Sequence, residues 1–457
     1  MAQLSIPTTG KPVALRAYRV PLLKRTIIDD HIDHMLADDV IEPSSSPYSS
    51  PVTLQRKKDL SWRFCVDFRV LNSQTTKDSY PLPLIDDIFD LTAGKSIYST
   101  LDFKAGYHQL AVASKDRFKT AFRCHRGLYQ FKKVPFGLTS APAFFQRTLD
   151  KILTGYIGKF CFIYIDDLVV FSDNVTQHAH HLTLIFDRIR DANLRLKPTK
   201  CSFGLPEVKL LGYIIGANGK RTDPEKTAAI TDMPPPKTVR GVRSFLGLAN
   251  YYATSLYNYA EIAEPLLDLT RKNRRFHWTD THQTAFNTLK AMLTSTHVMA
   301  PPDSTKPYKL FTDASDHSIG SILVQDDAIT GRERVIQYLS HSLSKSERRW
   351  ATLEKEGWAL IYSLKKLHCY LHGAKVTAYT DHKPLKCLFT KQLNNTKLQR
   401  WAILLSEYAV DIQYRQGSKN IKADMLSRIE RDDTPLINII DTSQNLPEPA
   451  IPPPGHH

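Results

Sequence analysis

The sequence predicts a protein of mixed α and β structure, with an α+β part first, a small helical part next and an α/β part last. Three observations lead to this division. A chain of 457 residues is too long for one hydrophobic core and fits roughly two to four domains. Strand-like and helix-like periodicities alternate along it, and three prolines in Asp232-Met233-Pro234-Pro235-Pro236-Lys237 favour a stiff connection before the helical part.

Charge and cysteine content narrow the class of protein. The net charge is +15, with Lys and Arg spread along the chain, which indicates a polyanionic partner and makes nucleic acid the first candidate. The sequence has no apolar leader and no run of about 20 apolar residues, so we expect neither secretion nor a membrane span. Six cysteines lack any Cys-x-x-Cys pair, which argues against a structural zinc site and a disulfide framework and favours reduced, intracellular thiols.

Two adjacent acids lie at the centre of the first part. Phe160–Ile165 and Leu168–Phe171 read as apolar half-strands, and Asp166 and Asp167 join them without Gly, Pro or Asn. A tight hairpin favours residues that adopt positive φ easily, such as Asn and Gly. The stretch Asp166-Asp167-Leu168 contains no residue of this kind. Adjacent anions between apolar strands become tolerable when divalent cations bind them. The alternative interpretation is a solvated hairpin tip.

The stretch Tyr164-Ile165-Asp166-Asp167 resembles the Tyr-x-Asp-Asp box of reverse transcriptases, and its surroundings resemble gypsy-class long-terminal-repeat retrotransposons. The resemblance implies an α+β right-hand polymerase with fingers, palm and thumb, followed by an α/β RNase H-like domain. It also implies RNA- and DNA-templated DNA synthesis, with cleavage of the RNA strand of RNA/DNA hybrids.

The N-terminal elements match the fingers of that family. Residues 1–19 are expected to form an extended or loose arm, and the apolar spacing from Ile27 to Val40 predicts a helix. Strands Pro51–Arg56 and Trp62–Phe68 should flank a polar tip. In the resemblance, a Lys and an Arg near this tip bind the triphosphate, and the matching residues are Lys57 or Lys58 and Arg63. The alternative interpretation of these residues is solvated surface charge. Leu60 occupies a position that is usually Gly in the family.

A strand over Ile97–Phe103 follows a helix over Ile85–Leu91, and it carries Asp102 near its end. Because two metal ions about 3.5–4 Å apart need several anions, Asp102 is the expected third carboxylate of the Asp166-Asp167 site. The resemblance assigns Tyr107 to an aromatic wall that rejects a 2′-hydroxyl; the alternative role for Tyr107 is core packing.

Two further motifs extend the resemblance beyond the acids. Val134–Gln146, which contains Phe136 and Gly137, is similar to the loop and helix that hold the nucleotide and the templating base. The next element is a predicted helix over His178–Ala192, with Leu182, Ile185, Phe186 and Ile189 facing inward. A strand over Leu210–Ile215 and a turn with Gly219 are then similar to the primer grip. The nucleic-acid contacts implied in this part are Tyr164, Leu211, Gly212 and Tyr213.

The helical part should contain three helices, over Thr238–Tyr252, Glu261–Thr270 and Asp280–Leu293. A small unit of this kind suits a thumb, in which Arg240 and Arg243 could contact phosphates. A solvated helix face is an equally good interpretation of these two arginines. The family usually has two arginines after a Tyr-Tyr pair, whereas here Ala253 and Thr254 follow the pair.

The last part carries a second set of acids at the ends of separate elements. Thr-Asp-Ala-Ser, Glu-Lys-Glu, Thr-Asp-His and Ala-Asp-x-Leu-Ser-Arg occur in the order found in the RNase H domain of the same retroelements. The matching residues are Asp313, Glu356, Asp381 and Asp424. Glu354 competes for the second position, but Glu356 heads the run that matches the family's helix. No His precedes Asp424 closely, so His382 is the candidate for an accessory role.

The resemblance therefore predicts an N-terminal arm over 1–19, fingers and palm over 20–221, a thumb over 222–304, an RNase H domain over 305–430 and a disordered tail or linker over 431–457. It implies two Mg²⁺ per active site, with Mn²⁺ as a substitute. The implied partners are RNA/DNA hybrid, DNA duplex primer-template and deoxynucleoside triphosphates, with a possible homodimer and no membrane. The implied location is the cytoplasm, inside virus-like particles.

Two alternative functions stay open at this stage. One is a domesticated nucleic-acid-binding protein without catalytic activity, against which the intact acids argue. The other is an RNA-dependent RNA polymerase, which would share the palm chemistry but would have no use for the second set of acids.

Overall fold

A computed structural model describes residues 3–56, 60–295, 297–327, 330–387 and 396–415. Contacts divide the chain into two compact units. The first contains the chain up to Pro234, with Leu293–Asp303 and Arg334–Ile336. The second contains Pro235–Met292, Ser304–Glu333 and the chain from Gln337 onward. The division falls within the proline run, while the domain boundaries drawn from the resemblance stay a prediction.

Both units contain helices and strands, and the helices of the first unit are α1 (Leu22–Ala37), α2 (Arg69–Gln74), α3 (Ile85–Thr92), α4 (Ala141–Ile152), α5 (Val175–Asp191) and α6 (Pro224–Thr231). Those of the second unit are α7 (Val239–Tyr251), α8 (Tyr259–Asp268), α9 (Asp280–Thr294, which ends in the first unit), α10 (Thr352–Lys366), α11 (His368–Leu371) and α12 (Thr396–Leu405). No described helix is long and apolar enough to cross a membrane.

The strands up to residue 222 are β1 (Gln3–Leu4), β2 (Ile41–Pro43), β3 (Ser50–Arg56), β4 (Trp62–Val66), β5 (Ile97–Asp102), β6 (Ala111–Val112), β7 (Phe122–Cys124), β8 (Gly127–Phe131), β9 (Cys161–Tyr164), β10 (Asp167–Ser172), β11 (Ser202–Leu205), β12 (Glu207–Leu210), β13 (Tyr213–Gly216) and β14 (Gly219–Thr222). The later strands are β15 (Tyr308–Ala314), β16 (Ser318–Asp326), β17 (Glu333–Ser342), β18 (Lys375–Thr380) and β19 (Ala409–Tyr414).

A five-stranded sheet of order β2-β8-β7-β3-β4 forms the predicted fingers. Its hairpin β3-β4 pairs antiparallel from Val52 with Val66 to Arg56 with Trp62, as the sequence predicts. Leu60 has a φ of +63°. It therefore adopts the left-handed conformation that Gly adopts easily, at a position where the family usually has Gly.

The N-terminal arm is extended but not loose. Strand β1 pairs in parallel with β6, and Leu4 and Ile6 are each 2% exposed. The buried carboxylate of Asp116 accepts hydrogen bonds from the Ser5 hydroxyl at 2.9 Å and the Ile6 amide at 3.1 Å. This packing cannot be predicted from the low hydrophobicity of the arm, because a few apolar side chains suffice to fix an extended segment to a core.

A four-stranded sheet of order β11-β5-β10-β9 forms the predicted palm. Helix α5 packs on this sheet through the buried Ile185 and Ile189, as its periodicity predicts. Phe186, which the same periodicity places inward, is 37% exposed and lies beside Phe203. This part of the prediction is wrong, because Phe186 lies at the edge of the apolar stripe, beside Phe203 on the edge strand β11, and is not buried under the centre of the sheet.

A three-stranded sheet of order β12-β13-β14 follows. The predicted continuous strand over Leu210–Ile215 is wrong, since Leu210 pairs with Tyr213 across a two-residue turn. Leu211 and Gly212 have φ of +48° and +82°. Two consecutive positive φ values favour a tight hairpin whose twist matches its strands, and Gly at the second position makes this turn accessible.

The second unit contains a five-stranded sheet of order β17-β16-β15-β18-β19, on which α10 packs. Strand β15 runs antiparallel to β16 and parallel to β18. Helix α8 of the helical part is bonded to the same unit: the Ala260 amide donates to the Ser340 hydroxyl at 3.0 Å, and Arg348 pairs with Glu264 at 2.5 Å. The three predicted helices of this part are present, each within about two residues of the predicted bounds.

Candidate active sites

The palm sheet brings the predicted acids of the first unit together at one edge. Asp102 is the last residue of β5, and its register partner in the antiparallel neighbour is Asp167, the first residue of β10. Asp166 precedes it in the turn between β9 and β10. All three carboxylates therefore come from two adjacent strand ends, which is the arrangement that the two-metal interpretation requires.

The turn that carries Asp166 differs from the sequence prediction. An ordinary tight hairpin has positive φ at its central residues, which the sequence places at the acids, but here the residue with positive φ is Ile165, at +60°. For a β-branched residue this conformation is a rare outlier and costs roughly 1–2 kcal/mol. Residues held in this way cluster at functional sites, where the surrounding structure maintains them.

The acids of the palm lie in an environment that disfavours negative charge. Asp166 and Asp167 reach solvent, but partial desolvation raises the pKa of both carboxyls, and the neighbouring acids add to the rise. The Lys200 ammonium, 3.2 Å from a carboxylate oxygen of Asp102, opposes it. Such a set of hard oxygen ligands with excess negative charge fits a divalent cation.

Lys200 is a functional candidate that the sequence interpretation missed. It is the last residue of a short 3₁₀ turn, Pro198–Lys200, and lines a small cavity with Asp102 and Asp167. The backbone fixes this segment to β5, since the Lys197 amide donates to the Asp102 carbonyl at 2.8 Å. A lone Lys in a Pro-Thr-Lys loop reads as solvated charge, and only the tertiary pairing reveals its position.

Part of the predicted nucleotide-binding set converges on one cavity of about 420 Å³ in the fingers, with Arg63 and Phe136 in its wall. Phe136 is 45% exposed. Gly137 has a φ of +96°, and its carbonyl accepts a hydrogen bond from the Asn72 side chain at 2.8 Å. Lys57 and Lys58 lie outside the described residues.

Tyr107 connects this region to the acids. Its ring is buried and lies 5.0 Å from the Phe136 ring, and its hydroxyl is within hydrogen-bonding reach of Asp166. Burial, followed by the Asp166 charge, raises the pKa of the Tyr107 hydroxyl, so it stays a donor. The residue is therefore both packed and adjacent to the site, which fits the gate role and the core role equally.

The predicted nucleic-acid contacts are more dispersed. Tyr164 is half-buried beside the acids, and Leu211 and Gly212 form the half-buried turn described above. The Tyr213 ring is buried against the Phe89 ring, 4.8 Å away, with the Lys220 ammonium near both. In the helical part, Arg240 and Arg243 are both exposed. Arg243 donates to the Thr270 carbonyl at 2.9 Å.

The second unit contains a compact acidic group. One carboxylate oxygen from each of Asp313, Glu356 and Asp381 lies within 4.8 Å of the others. Asp313 and Asp381 extend equivalent ends of the parallel neighbours β15 and β18, and α10 supplies Glu356. Glu354 is committed elsewhere: it accepts from the Ala351 amide at 3.2 Å and lies 3.5 Å from the Lys397 ammonium. The geometry thus favours Glu356 over Glu354.

Glu356 is held in a state that suits a cation ligand. One carboxylate oxygen accepts from the Ala314 amide at 3.2 Å, and the other is buried with no hydrogen-bond partner among the residues that the structure describes. Burial, with the charges of Asp313 and Asp381, raises the pKa of Glu356 to about 8. A buried oxygen without a donor, facing two further acids, fits a hard divalent cation. Asp424 lies outside the described residues, and His382 directly follows Asp381.

Comparison with known proteins relates both units to reverse transcriptases. Residues 55–215 match the family described as reverse transcriptase (RNA-dependent DNA polymerase), and residues 303–408 match the RNase H-like domain found in reverse transcriptase. The chain is 40% identical to the Pol polyprotein of transposon opus and 36% identical to that of transposon gypsy, both from Drosophila melanogaster. These matches cover 95% and 92% of this chain, but 44% and 42% of the relatives, so the chain spans less than half of their length.

Solved structures share the fold. A foamy viral protease-reverse transcriptase in complex with double-stranded DNA has a TM-score of 0.78 at 22% identity, over 90% of this chain and 86% of that one. The dRH form of that protein has a TM-score of 0.80 over 89% of this chain and 72% of that one, at 22% identity. The predicted fold class, a right-hand polymerase followed by an RNase H-like domain, is confirmed.

Proposed function

Since this chain belongs to the reverse transcriptase and RNase H family of retrotransposon Pol polyproteins, we propose that it copies RNA and DNA templates into DNA and cleaves the RNA strand of RNA/DNA hybrids. One observation carries the proposal: each unit holds its own group of acids where neighbouring strands end. The first group is Asp102, Asp166 and Asp167; the second is Asp313 and Asp381, with Glu356 from helix α10.

In the palm, Asp102 and Asp166 would hold one Mg²⁺, with Asp167 completing the site and Mn²⁺ as a substitute. When bound, a pair of such ions activates the primer 3′-hydroxyl and stabilises the leaving pyrophosphate. Arg63 and one of Lys57 and Lys58 would neutralise the triphosphate.

Tyr107, Phe136 and Gly137 would surround the sugar and base of the incoming nucleotide. A buried ring beside the sugar selects between nucleotides by limiting the space at C2′.

Replacing Tyr107 by Val should raise the ratio of ribonucleotide to deoxyribonucleotide incorporation by roughly 10- to 100-fold, the range that loss of a steric contact in a pocket gives. The reason is that the Tyr107 ring, packed against Phe136, would otherwise occupy space beside C2′. Single-nucleotide incorporation with matched dNTP and NTP measures the ratio. Tyr107→Phe keeps the ring and should keep the wild-type ratio. An unchanged ratio in an active Tyr107→Val enzyme would assign Tyr107 to the core alone.

In the second unit, Asp313, Glu356, Asp381 and Asp424 would hold two Mg²⁺, which activate water and stabilise the departing 3′-oxygen of the RNA. His382, which directly follows Asp381, would assist cleavage. It would not be essential, because metal-bound water needs little help from a base. The hybrid would be recognised through its backbone and 2′-hydroxyls more than through its bases.

The partners would be RNA/DNA hybrid, DNA duplex primer-template and deoxynucleoside triphosphates. The net charge of +15 supports a polyanionic partner. Tyr164, Leu211, Gly212 and Tyr213 are the proposed contacts near the primer, with Arg240 and Arg243 on the thumb. A homodimer and a location inside cytoplasmic virus-like particles belong to the same proposal.

Primer extension and hybrid cleavage test this function directly. A DNA primer on an RNA template, with Mg²⁺ and dNTPs, should be extended, and the labelled RNA strand should be shortened. Extension with NTPs alone and no RNA cleavage would indicate an RNA polymerase instead. Tight hybrid binding without either reaction would indicate a silent nucleic-acid-binding protein.

A further inference from the structure

Gln146 on α4 has a buried side-chain amide that bonds to the main chain of the catalytic hairpin. The residue is 0% exposed. Its Nε2 donates to the Ile163 carbonyl at 3.0 Å, and its Oε1 accepts from the Ile165 amide at 2.9 Å. The side chain thus contacts the backbone on both sides of Tyr164, immediately before Asp166.

The orientation of this amide is determined by its partners. A main-chain N–H can only donate and a carbonyl can only accept, so the Oε1 of Gln146 must face Ile165 and the Nε2 must face Ile163. The second hydrogen of Nε2 goes to a carboxylate oxygen of Asp150 at 2.9 Å. A flipped amide would set acceptor against acceptor at both Ile163 and Asp150.

A second layer holds Asp150 in turn. Its other carboxylate oxygen accepts from the Tyr80 hydroxyl at 2.6 Å. One residue after Gln146, the Arg147 guanidinium pairs with Asp78 at 2.5 Å and lies 5.0 Å from the centre of the Tyr80 ring. The face of α4 that carries Gln146 is therefore anchored to the segment around Tyr80.

The Ile165 backbone explains why such a clamp is needed. With a φ of +60°, this β-branched residue would relax to a common conformation if nothing opposed it. Relaxation would rotate the peptide that leads into Asp166 and move the carboxylates away from Asp102. The hydrogen bond from Ile165 to Gln146 opposes that rotation, because a relaxed turn would leave a buried amide unpaired.

We propose that Gln146 is a positioning residue of the polymerase site, which fixes the turn so that Asp166 and Asp167 face Asp102, and that Asp150 orients its amide. The inference rests on the proposed function for its kinetic consequence. It makes a separate statement about the metal-free protein, namely that the Ile165 amide is protected by a side chain and not by a strand partner.

Hydrogen exchange of the metal-free protein tests the structural statement. In wild type, a peptide that spans residues 160–168 should show a protected Ile165 amide. Gln146→Met removes both bonds and should speed this exchange at least about tenfold while the rest of the palm sheet stays protected. Equal exchange in wild type and variant would overturn the clamp.

Kinetics test the functional statement. Gln146→Glu places an oxygen against the Ile163 carbonyl and Asp150, and should lower kcat for dNTP incorporation about 100-fold, as a misplaced catalytic group does. The double variant Gln146→Glu/Asp150→Asn restores a donor toward residue 146 and should recover about a tenth of wild-type kcat, still limited by the Ile163 carbonyl. A double variant whose kcat is no higher than that of Gln146→Glu would overturn the role given to Asp150.

The matched control is Gln177, a helix residue that bonds to the main chain just beyond the other end of β10. Gln177 accepts from the Asp173 amide at 3.1 Å, directly after β10 ends. Gln177→Met should leave kcat and hybrid cleavage at wild-type levels. Hybrid cleavage by each Gln146 variant reports that the second unit is folded, and hydrogen-exchange protection of the rest of the palm sheet reports that the first unit is folded.

An active wild type with a Gln146→Glu kcat within threefold of it would overturn the positioning role. An inactive wild type would instead count against the proposed function and leave the exchange result to stand by itself.

Discussion

Asp166→Asn should lower primer extension by more than about 1,000-fold while RNA cleavage in a hybrid continues at the wild-type rate. Loss of a metal-ligand carboxylate removes a transition-state interaction of several kcal/mol. The two acid groups lie in separate units, so the change should not reach Asp313, Glu356 or Asp381. Both activities are measured on one preparation with one labelled RNA template and one labelled DNA primer.

The control for Asp166→Asn is Asp173→Asn, which removes a carboxylate from the other end of β10. Asp173 is exposed and lies 2.9 Å from the Lys95 ammonium, a surface pair worth at most about 1 kcal/mol. This variant should keep both activities. Loss of both reactions in a folded Asp166→Asn protein would contradict the assignment of two independent sites.

The acids could be predicted from the sequence because their chemistry is local. Two adjacent aspartates between apolar strands are unusual in themselves, and Asp102 ends a strand whose pattern is clear. The conformation of the turn could not be predicted, since the residue with positive φ is Ile165 and what holds it is Gln146, 19 residues earlier on a helix. Side-chain bonds to a distant main chain leave no periodic signal.

Elements were predicted best where one face meets a core. Helices α3 and α7 follow their apolar spacing closely, whereas a chain reversal hidden inside an apolar run was read as a continuous strand at Leu211 and Gly212. The tight packing of the N-terminal arm also escaped, because Leu4 and Ile6 are too few to give a pattern. In each case the deciding contact is tertiary.

The choice between Glu354 and Glu356 illustrates the same limit. Both glutamates begin one helix, and the spacing alone admits either as a metal ligand. The structure separates them by what surrounds them. Glu354 has a main-chain donor and Lys397 within reach, whereas Glu356 faces two other acids and has one oxygen that lacks a donor in the described part of the chain. Polar groups that are already satisfied at a helix start are capping groups, which bind no ligand.

Glu356→Gln should abolish hybrid cleavage, by more than about 1,000-fold, leave primer extension unchanged, and at the same time stabilise the metal-free protein at pH 8. In the folded state the pKa of Glu356 is raised to about 8 from its ordinary value of 4.5. The folded protein therefore keeps a proton that the unfolded chain loses above pH 4.5. Stability from this group is fully present below pH 4.5 and declines as the pH rises to about 8.

Denaturant unfolding in EDTA between pH 5 and pH 8 measures the effect. The unfolding free energy of the second unit should fall with pH in wild type, and Glu356→Gln, which has no charge to bury, should flatten that fall and be the more stable protein at pH 8 by roughly 1–3 kcal/mol. Adding Mg²⁺ should stabilise wild type more than the variant. Glu354→Gln is the matched control on the same helix: it should keep cleavage and change stability by less than about 1 kcal/mol. A Glu356→Gln protein that cleaves hybrids normally, or that shows the wild-type pH dependence, would remove Glu356 from the metal site.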